Sequence, residues 1–164
     1  LARSLDSNRG VYLVPAFTGL GAPYWEPDAR GTLTGLTRNA GRAEIARAAL
    51  EAVCYQTRDL FEAMAEDAGE RPATLRVDGG MTVNNWLLQA LADIVDVPVE
   101  RASVTESSAL GAARLAGLRL GIFRDLDDLS RHWTAGGRCQ PAIDSQERAR
   151  MINGWNKAVA QCRA

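Results

Sequence analysis

Three observations predict an α/β fold. Short β-branched segments alternate along the chain with long segments whose apolar residues recur near every 3.6 positions. One such strand, Leu75-Arg-Val-Asp78, runs through adjacent glycines, Gly79-Gly80, directly into an amphipathic helix. The length, 164 residues, fits one domain able to bury a core without disulfide or metal staples.

Val11-Tyr-Leu-Val-Pro-Ala-Phe17 is β-branched and aromatic and predicts a strand, with Pro15 confining it to an edge or an irregular end. Thr18 to Asp28 holds two glycines and two prolines around Tyr24-Trp25 and predicts an ordered loop. Gly31-Thr-Leu-Thr-Gly-Leu-Thr37 alternates as a second strand. From Arg42 to about Ala68 the period becomes helical. Ile45, Ala49, Val53, Leu60 and Met64 predict the buried stripe, Leu50, Cys54 and Phe61 widen it, and Gly69 closes the helix.

After the Leu75 to Asp78 strand and its glycine turn, Leu87, Leu88, Leu91, Ile94 and Val95 fall on one side of the next helix. Val97-Pro-Val-Glu-Arg101 predicts a strand. Ser107 to Leu120 predicts a helix whose small residues, Ala109, Gly111, Ala112, Ala113, Ala116 and Gly117, suit close packing or a ligand edge, since each interior glycine costs up to ~1 kcal/mol against alanine. Asp125 to His132 reads as a short helix and Gly136-Gly137 as a break. A terminal helix is expected from Asp144 to about Ala160, with Asp144 and Glu147 at capping-box spacing.

Composition narrows the function. Lys plus Arg number 19 against 20 Asp plus Glu, without a block of one sign, which argues against nucleic acid as a partner. Cys54, Cys139 and Cys162 are widely spaced, odd in number and lack any C-x-x-C pair, against a disulfide framework or zinc site and in favour of a reducing cytoplasm. No apolar run approaches the ~20 residues needed to cross a bilayer.

The glycine pair is either plain turn chemistry or a place where backbone approaches a phosphate. It matches neither G-x-x-x-x-G-K-[ST] nor G-x-G-x-x-G. Asn84 and Asn85, at the start of the following helix, can cap it or reach a ribose or base. Asp78 is read as a turn acceptor rather than a base, His132 as a packing or surface residue, and Arg30 and Arg38 as surface groups. Trp25, Trp86 and Trp155 are read as packing anchors.

Gly31-Thr-Leu-Thr-Gly-Leu-Thr-Arg-Asn-Ala-Gly-Arg-Ala-Glu-Ile-Ala-Arg-Ala-Ala-Leu-Glu51 resembles the second signature of the FGGY carbohydrate kinases. Pro15 to Trp25 is similar to the corresponding segment of that family's glycerol kinases, and Leu75 to Gly80 with Asn84-Asn85 resembles their nucleotide loop. The likeness continues through Ala109-Leu-Gly-Ala-Ala113 to about Phe123 and more weakly to the terminal helix.

The resemblance implies an actin-like, ribonuclease-H-like ATPase domain that takes part in moving the γ-phosphoryl group of ATP, with Mg²⁺, to a hydroxyl of glycerol. It implies that Gly80 and Asn84 contact the nucleotide and that Gly79 shapes the turn. It places no catalytic residue and no metal ligand on this chain. Residues 1–164 are expected to be a partial, C-terminal, nucleotide-side domain, incomplete at its N-terminal side and ending in the terminal helix at about 144–160. Glycerol or a related polyol would be bound through the missing N-terminal domain, and the isolated chain would not phosphorylate it. The Leu75 to Asp78 strand would then show an unpaired edge, closed by rearrangement, by an upstream segment or by a second copy in a homo-oligomer. Alternatives are another FGGY kinase acting on a pentulose or sugar acid, or a noncatalytic actin-like nucleotide-binding module.

Overall fold

In the computed structural model, which describes residues 1–104 and 106–164, ten elements follow in order. They are β1 (Tyr12–Val14), β2 (Thr32–Thr34), α1 (Arg42–Ala68), β3 (Leu75–Val77), α2 (Asn85–Val95), β4 (Val99–Ala102), α3 (Ser107–Arg119), α4 (Leu126–Arg131), β5 (Ala135–Cys139) and α5 (Ser145–Cys162). Two separate sheets result. β1 pairs with β2 antiparallel, Leu13 opposite Leu33, and β3, β4 and β5 form a mixed sheet in that order. β3 runs parallel to β4 with Leu75 opposite Val99, and β4 runs antiparallel to β5. Among the described residues β3 has no second neighbour.

Both early strands are shorter than the sequence pattern suggests. β1 stops at Val14, where Pro15 offers no donor to continue a ladder. β2 stops at Thr34 because Gly35 turns the chain at φ 74°, and a Cβ there would meet the Gly10 carbonyl oxygen at 1.8 Å.

Helix α1 is the spine. The Glu44 carboxylate accepts the Gly41 N–H at 2.9 Å at its start, and Gly69 at φ 71° closes it. Its length agrees with the apolar period, but its orientation does not. Ile45, Leu60 and Met64 are 40%, 44% and 59% exposed. The buried face instead carries Glu44, Ala48, Glu51, Ala52, Tyr55 and Asp59, with Cys54 and Phe61 beside it. Each of its three carboxylates has a partner. Arg9 and the Gly41 N–H serve Glu44, Arg47 donates to Glu51 at 2.6 Å, and Asp59 accepts from Tyr24 Oη and Trp155 Nε1, both at 2.6 Å. Charged groups so paired can occupy a buried face, which a count of apolar side chains misses.

Trp155 of α5 is fully buried and stacks on Tyr55, ring centroids 5.1 Å apart. Gly154 lets Tyr12 lie against α5, because a Cβ there would meet the Tyr12 hydroxyl at 2.1 Å. On α2 the predicted stripe is the buried one: Leu87, Leu88, Leu91, Ile94 and Val95. α4 and α5 begin at Asp125 and Asp144, which accept the N–H groups of Asp128 and Glu147.

Gly136 and Gly137 do not break the chain. They lie inside β5, where a Cβ at Gly136 would meet Ser103 Cα at 2.9 Å and one at Gly137 the Arg101 guanidinium at 3.2 Å. Missing side chains here allow close strand approach rather than a turn. Among the small residues of α3 only Gly117 is buried, against the Phe123 ring, while Gly111 meets nothing within 4 Å. Among the described residues no helix is long and apolar enough to cross a membrane.

Replacing Asp59 with alanine strips one buried donor, Trp155 Nε1, and one half-buried donor, Tyr24 Oη, of their acceptor and is expected to cost about 3 kcal/mol in denaturant unfolding. Leu60→Ala, on the exposed stripe, should cost under about 1 kcal/mol. Backbone N–H donors hold the Glu44 carboxyl below its ordinary range, aided by Arg9. Its contribution is therefore present above about pH 4 and lost as pH falls through the depressed folded value. Unfolding of the wild type and Glu44→Gln at a series of pH values should show their stability difference shrinking on the acid side.

Candidate functional site

β3 delivers the chain to the glycine turn at the carboxyl end of a parallel strand pair, the end at which open α/β sheets bind ligands. The two glycines then serve different purposes. Gly79 sits at φ 87° and ψ 172°, a conformation essentially reserved for glycine, so the turn itself demands it. Gly80 has no such constraint, and a Cβ built on it meets nothing within 4 Å. Neither backbone strain nor packing within the chain requires glycine at position 80. What the residue leaves is open space above the backbone.

A single 3₁₀ turn, Gly80–Val83, follows, closed by the Thr82 hydroxyl, which donates to the Gly79 carbonyl at 2.7 Å. Asn84 then caps α2: its Oδ1 accepts the N–H groups of Trp86 and Leu87 at 3.1 and 3.3 Å. That bond fixes which end of the amide faces the helix. Among the described residues the Asn84 Nδ2 donates no hydrogen bond.

Gly79 and Gly80 line a cavity of about 300 Å³ together with Asp78, Met81 and Thr82. Its walls are largely apolar, from Val53 on α1, Val77 on β3 and Leu87, Leu88 and Leu91 on α2. Apolar walls with a few polar groups at the rim are the usual make-up of a small-molecule site. Cys54 also lines it, but burial pushes its thiol up, so it is a protonated packing group and not a nucleophile. Asn84 lies on the other side of the turn, in a second cavity of about 380 Å³ with Asn85, Trp86, Val83, Leu50 and the Leu1 to Arg3 segment. The three predicted contacts are thus adjacent along the turn but open onto two hollows.

Sequence reasoning missed Arg101. It lies in β4 opposite Val77, and its guanidinium donates to the Thr82 carbonyl at 2.9 Å, to Asn85 Oδ1 at 3.2 Å and to the Gly136 carbonyl at 3.3 Å. One side chain thereby pins the turn, the start of α2 and β5. Only the register between β3 and β4 brings it there, and no local pattern in the sequence carries that register. Asn85, engaged by Arg101, belongs to this support.

Of the remaining candidates, Asp78 borders the glycine cavity and Trp86 the Asn84 cavity. Asp78 is exposed at the cavity rim, and His132 meets Phe123 edge-on at 5.3 Å, a packing contact. Arg30 stitches its own loop by donating to the Pro27 and Ala29 carbonyls. Trp155 is a packing anchor as expected, and Trp86 is covered by the Arg47 guanidinium at 5.4 Å. Trp25 is not an anchor. It is 75% exposed, and Tyr24, whose hydroxyl is held by Asp59, secures that loop instead. Among the described residues no group of His, Cys, Asp and Glu is arranged to hold a metal ion.

Residues 1–120 match the model of the C-terminal domain of the FGGY family of carbohydrate kinases. The chain is 57% identical over 161 residues to the glycerol kinase of Alcanivorax borkumensis, covering 98% of this chain and 32% of that protein. The crystal structure of Plasmodium falciparum glycerol kinase with ADP superposes with a TM-score of 0.88 at 36% identity, over 99% of this chain and 33% of that one. The gluconate kinase of Lactobacillus acidophilus gives 0.81 at 26% identity, over 97% and 32%. The chain therefore spans about a third of the length of the curated relatives it matches.

If Arg101 pins the turn, Arg101→Ala should raise amide hydrogen exchange across Thr82 to Leu87 by about tenfold, the equivalent of ~1.4 kcal/mol. Exchange in the distant middle of α5 should stay at its wild-type rate. Mass-resolved exchange of the two proteins compares both segments in one measurement.

Proposed function

This chain belongs to the FGGY family of carbohydrate kinases, with the actin-like, ribonuclease-H-like fold of its solved members, and from that premise we propose that it forms part of the ATP side of a glycerol kinase. Gly80 and Asn84 contact the nucleotide, and Gly79 shapes the turn that presents them. The observation that carries this reading is the open space over Gly80, at the carboxyl end of β3, with the unengaged Asn84 amide nitrogen on the other side of the same turn. A nucleotide phosphate or ribose needs just such close approach to backbone. The P. falciparum relative, whose structure contains ADP, supports the ligand class.

Glycerol is favoured over other acceptors because identity reaches 57% with a glycerol kinase but 26% with the gluconate and xylulose kinases of L. acidophilus. The Mg²⁺ that accompanies ATP would be held chiefly by the nucleotide phosphates and water. This chain's own part is to bind and orient the nucleotide. The carboxylate that accepts the glycerol proton, and the glycerol contacts, belong to a separate N-terminal domain. Residues 1–164 then form a partial domain, which accounts for the open edge of β3 and for the exposed apolar stripe Ile45, Leu60 and Met64 on α1.

Calorimetric titration with ADP tests the site. Gly80→Val, whose Cβ meets no atom of the chain within 4 Å, should weaken binding at least about tenfold, or ~1.4 kcal/mol. Asn84→Asp keeps the helix cap while replacing the amide nitrogen with a carboxylate oxygen, and should weaken it similarly. Unchanged affinity in both variants would remove these residues from the site. Glycerol phosphorylation assayed on the pure 164-residue chain should be absent, and robust turnover would sink the partial-domain reading.

A further inference from the structure

The Arg47 side chain is 12% exposed, and two bonds to different elements fix its plane. Its Nε donates to Glu51 Oε1, one turn on along α1, at 2.6 Å, and its Nη1 donates to the Leu5 carbonyl of the N-terminal segment. Two in-plane bonds leave a guanidinium little freedom to tilt. Its face is thereby presented to the Trp86 ring, 5.4 Å from the centroid, within the range of a cation–π contact.

Both attachments lead to walls of the Asn84 hollow. Trp86 lines it from α2, and Leu1, Ala2 and Arg3 line it from the N-terminal segment, whose 3₁₀ turn Ala2–Ser4 ends at Leu5. Arg47 lines a neighbouring polar cavity of about 130 Å³, which it shares with Trp86. Trp86 also donates its N–H to Asn84 Oδ1 at 3.1 Å, so any shift of the Trp86 backbone moves the Asn84 amide with it. We propose that Arg47 is a positioning residue for the nucleotide contact at Asn84. It fixes two walls of the hollow from outside, and through the Trp86 N–H it fixes the direction of the Asn84 amide. The proposal rests on the reading of Asn84 as a nucleotide contact given above.

An ion pair alone does not need arginine here. The Glu51 side chain is 1% exposed, and any cation within reach would keep its buried carboxylate compensated. What a guanidinium adds is three contacts at once: an in-plane donor for Glu51, a second in-plane donor for Leu5 and a flat face for Trp86. A lysine ammonium at position 47 can satisfy Glu51, but it is a point charge with no plane to lay on the indole. Compensating Glu51 and positioning Asn84 are therefore separable by substitution.

Arg47→Lys in the 164-residue chain is the test. With the ion pair kept, its unfolding midpoint in denaturant should stay close to that of the wild type, while ADP affinity by calorimetric titration falls about tenfold. Amide exchange followed by NMR without nucleotide should rise about tenfold at the capped Trp86 and Leu87 N–H groups and stay unchanged in the middle of α5. A second variant, Arg47→Met with Glu51→Gln, removes both charges without leaving one buried alone and should show the same pattern. It carries the test if the lysine variant does not fold. Unchanged exchange at Trp86 and Leu87 in a folded variant would overturn the proposal, and so would unchanged ADP affinity beside raised exchange. A lowered midpoint with exchange raised throughout the chain marks a purely structural role and refutes it as well. A wild-type chain that binds no ADP defeats the nucleotide reading alone, and the exchange comparison, made without ADP, then decides whether Arg47 holds the Asn84 cap.

Discussion

Asp59 is the point on which the rest of this structure hangs. Its carboxylate, 5% exposed on α1, accepts from Tyr24 Oη and Trp155 Nε1 at 2.6 Å each, while Arg58 meets its other oxygen at 3.2 Å. Those partners come from the loop after β1 and from the far end of the chain. A buried carboxylate tolerates burial only when its lone pairs are filled, so loop, α1 and α5 must be in place together. Trp155 then stacks on Tyr55, and Tyr55 tilts against Tyr12 of β1 at 5.8 Å, extending the seam to the first strand.

The same seam explains what could and could not be read from the sequence. Helix α1 was legible in extent because its period, its Glu44 start and its Gly69 stop are local signals. Its buried face was not, because Glu44, Glu51 and Asp59 repeat at spacings of seven and eight, a helical row that hydropathy scores as solvent-facing. The partners of Glu44 and Asp59, namely Arg9, Tyr24 and Trp155, lie far away in sequence. α2 posed no such difficulty, since Leu87, Leu88, Leu91, Ile94 and Val95 bury by hydrophobicity alone. Gly136-Gly137 misled for a related reason: only strand pairing with β4 reveals why side chains are absent there.

At the candidate site the legible part was the turn and the illegible part its support. Gly79 and Gly80 stand out in any reading of the chain, but the sequence treats them alike. The backbone separates them, since one is demanded by a positive φ and the other by neither conformation nor packing. Asn84 was open between capping and ligand contact, and the structure shows that the two are compatible. Its oxygen is spent on the helix and its nitrogen is left over. Arg101 could not be found from local pattern because its importance lies in facing Val77 across a parallel pair.

The seam and the turn are mechanically one system. Arg47 donates to Glu51 within the seam and to the Leu5 carbonyl of the N-terminal segment, while the face of its guanidinium lies over Trp86. Trp86 follows Asn84-Asn85 directly, and its N–H is one of the two that Asn84 caps. Two turns on from Arg47 along α1, the buried Cys54 thiol reaches the carbonyl of Leu87, the second capped residue. The start of α2 is therefore held from α1 at two points and from β4 by Arg101, whereas the space over Gly80 is left open. Rigid support around one unencumbered backbone position is how a fold presents main chain to a ligand without paying again to order it on binding. By that logic, a lesion in the Glu51 and Arg47 seam would reach the turn by displacing Trp86, without any change in the residues that touch the ligand.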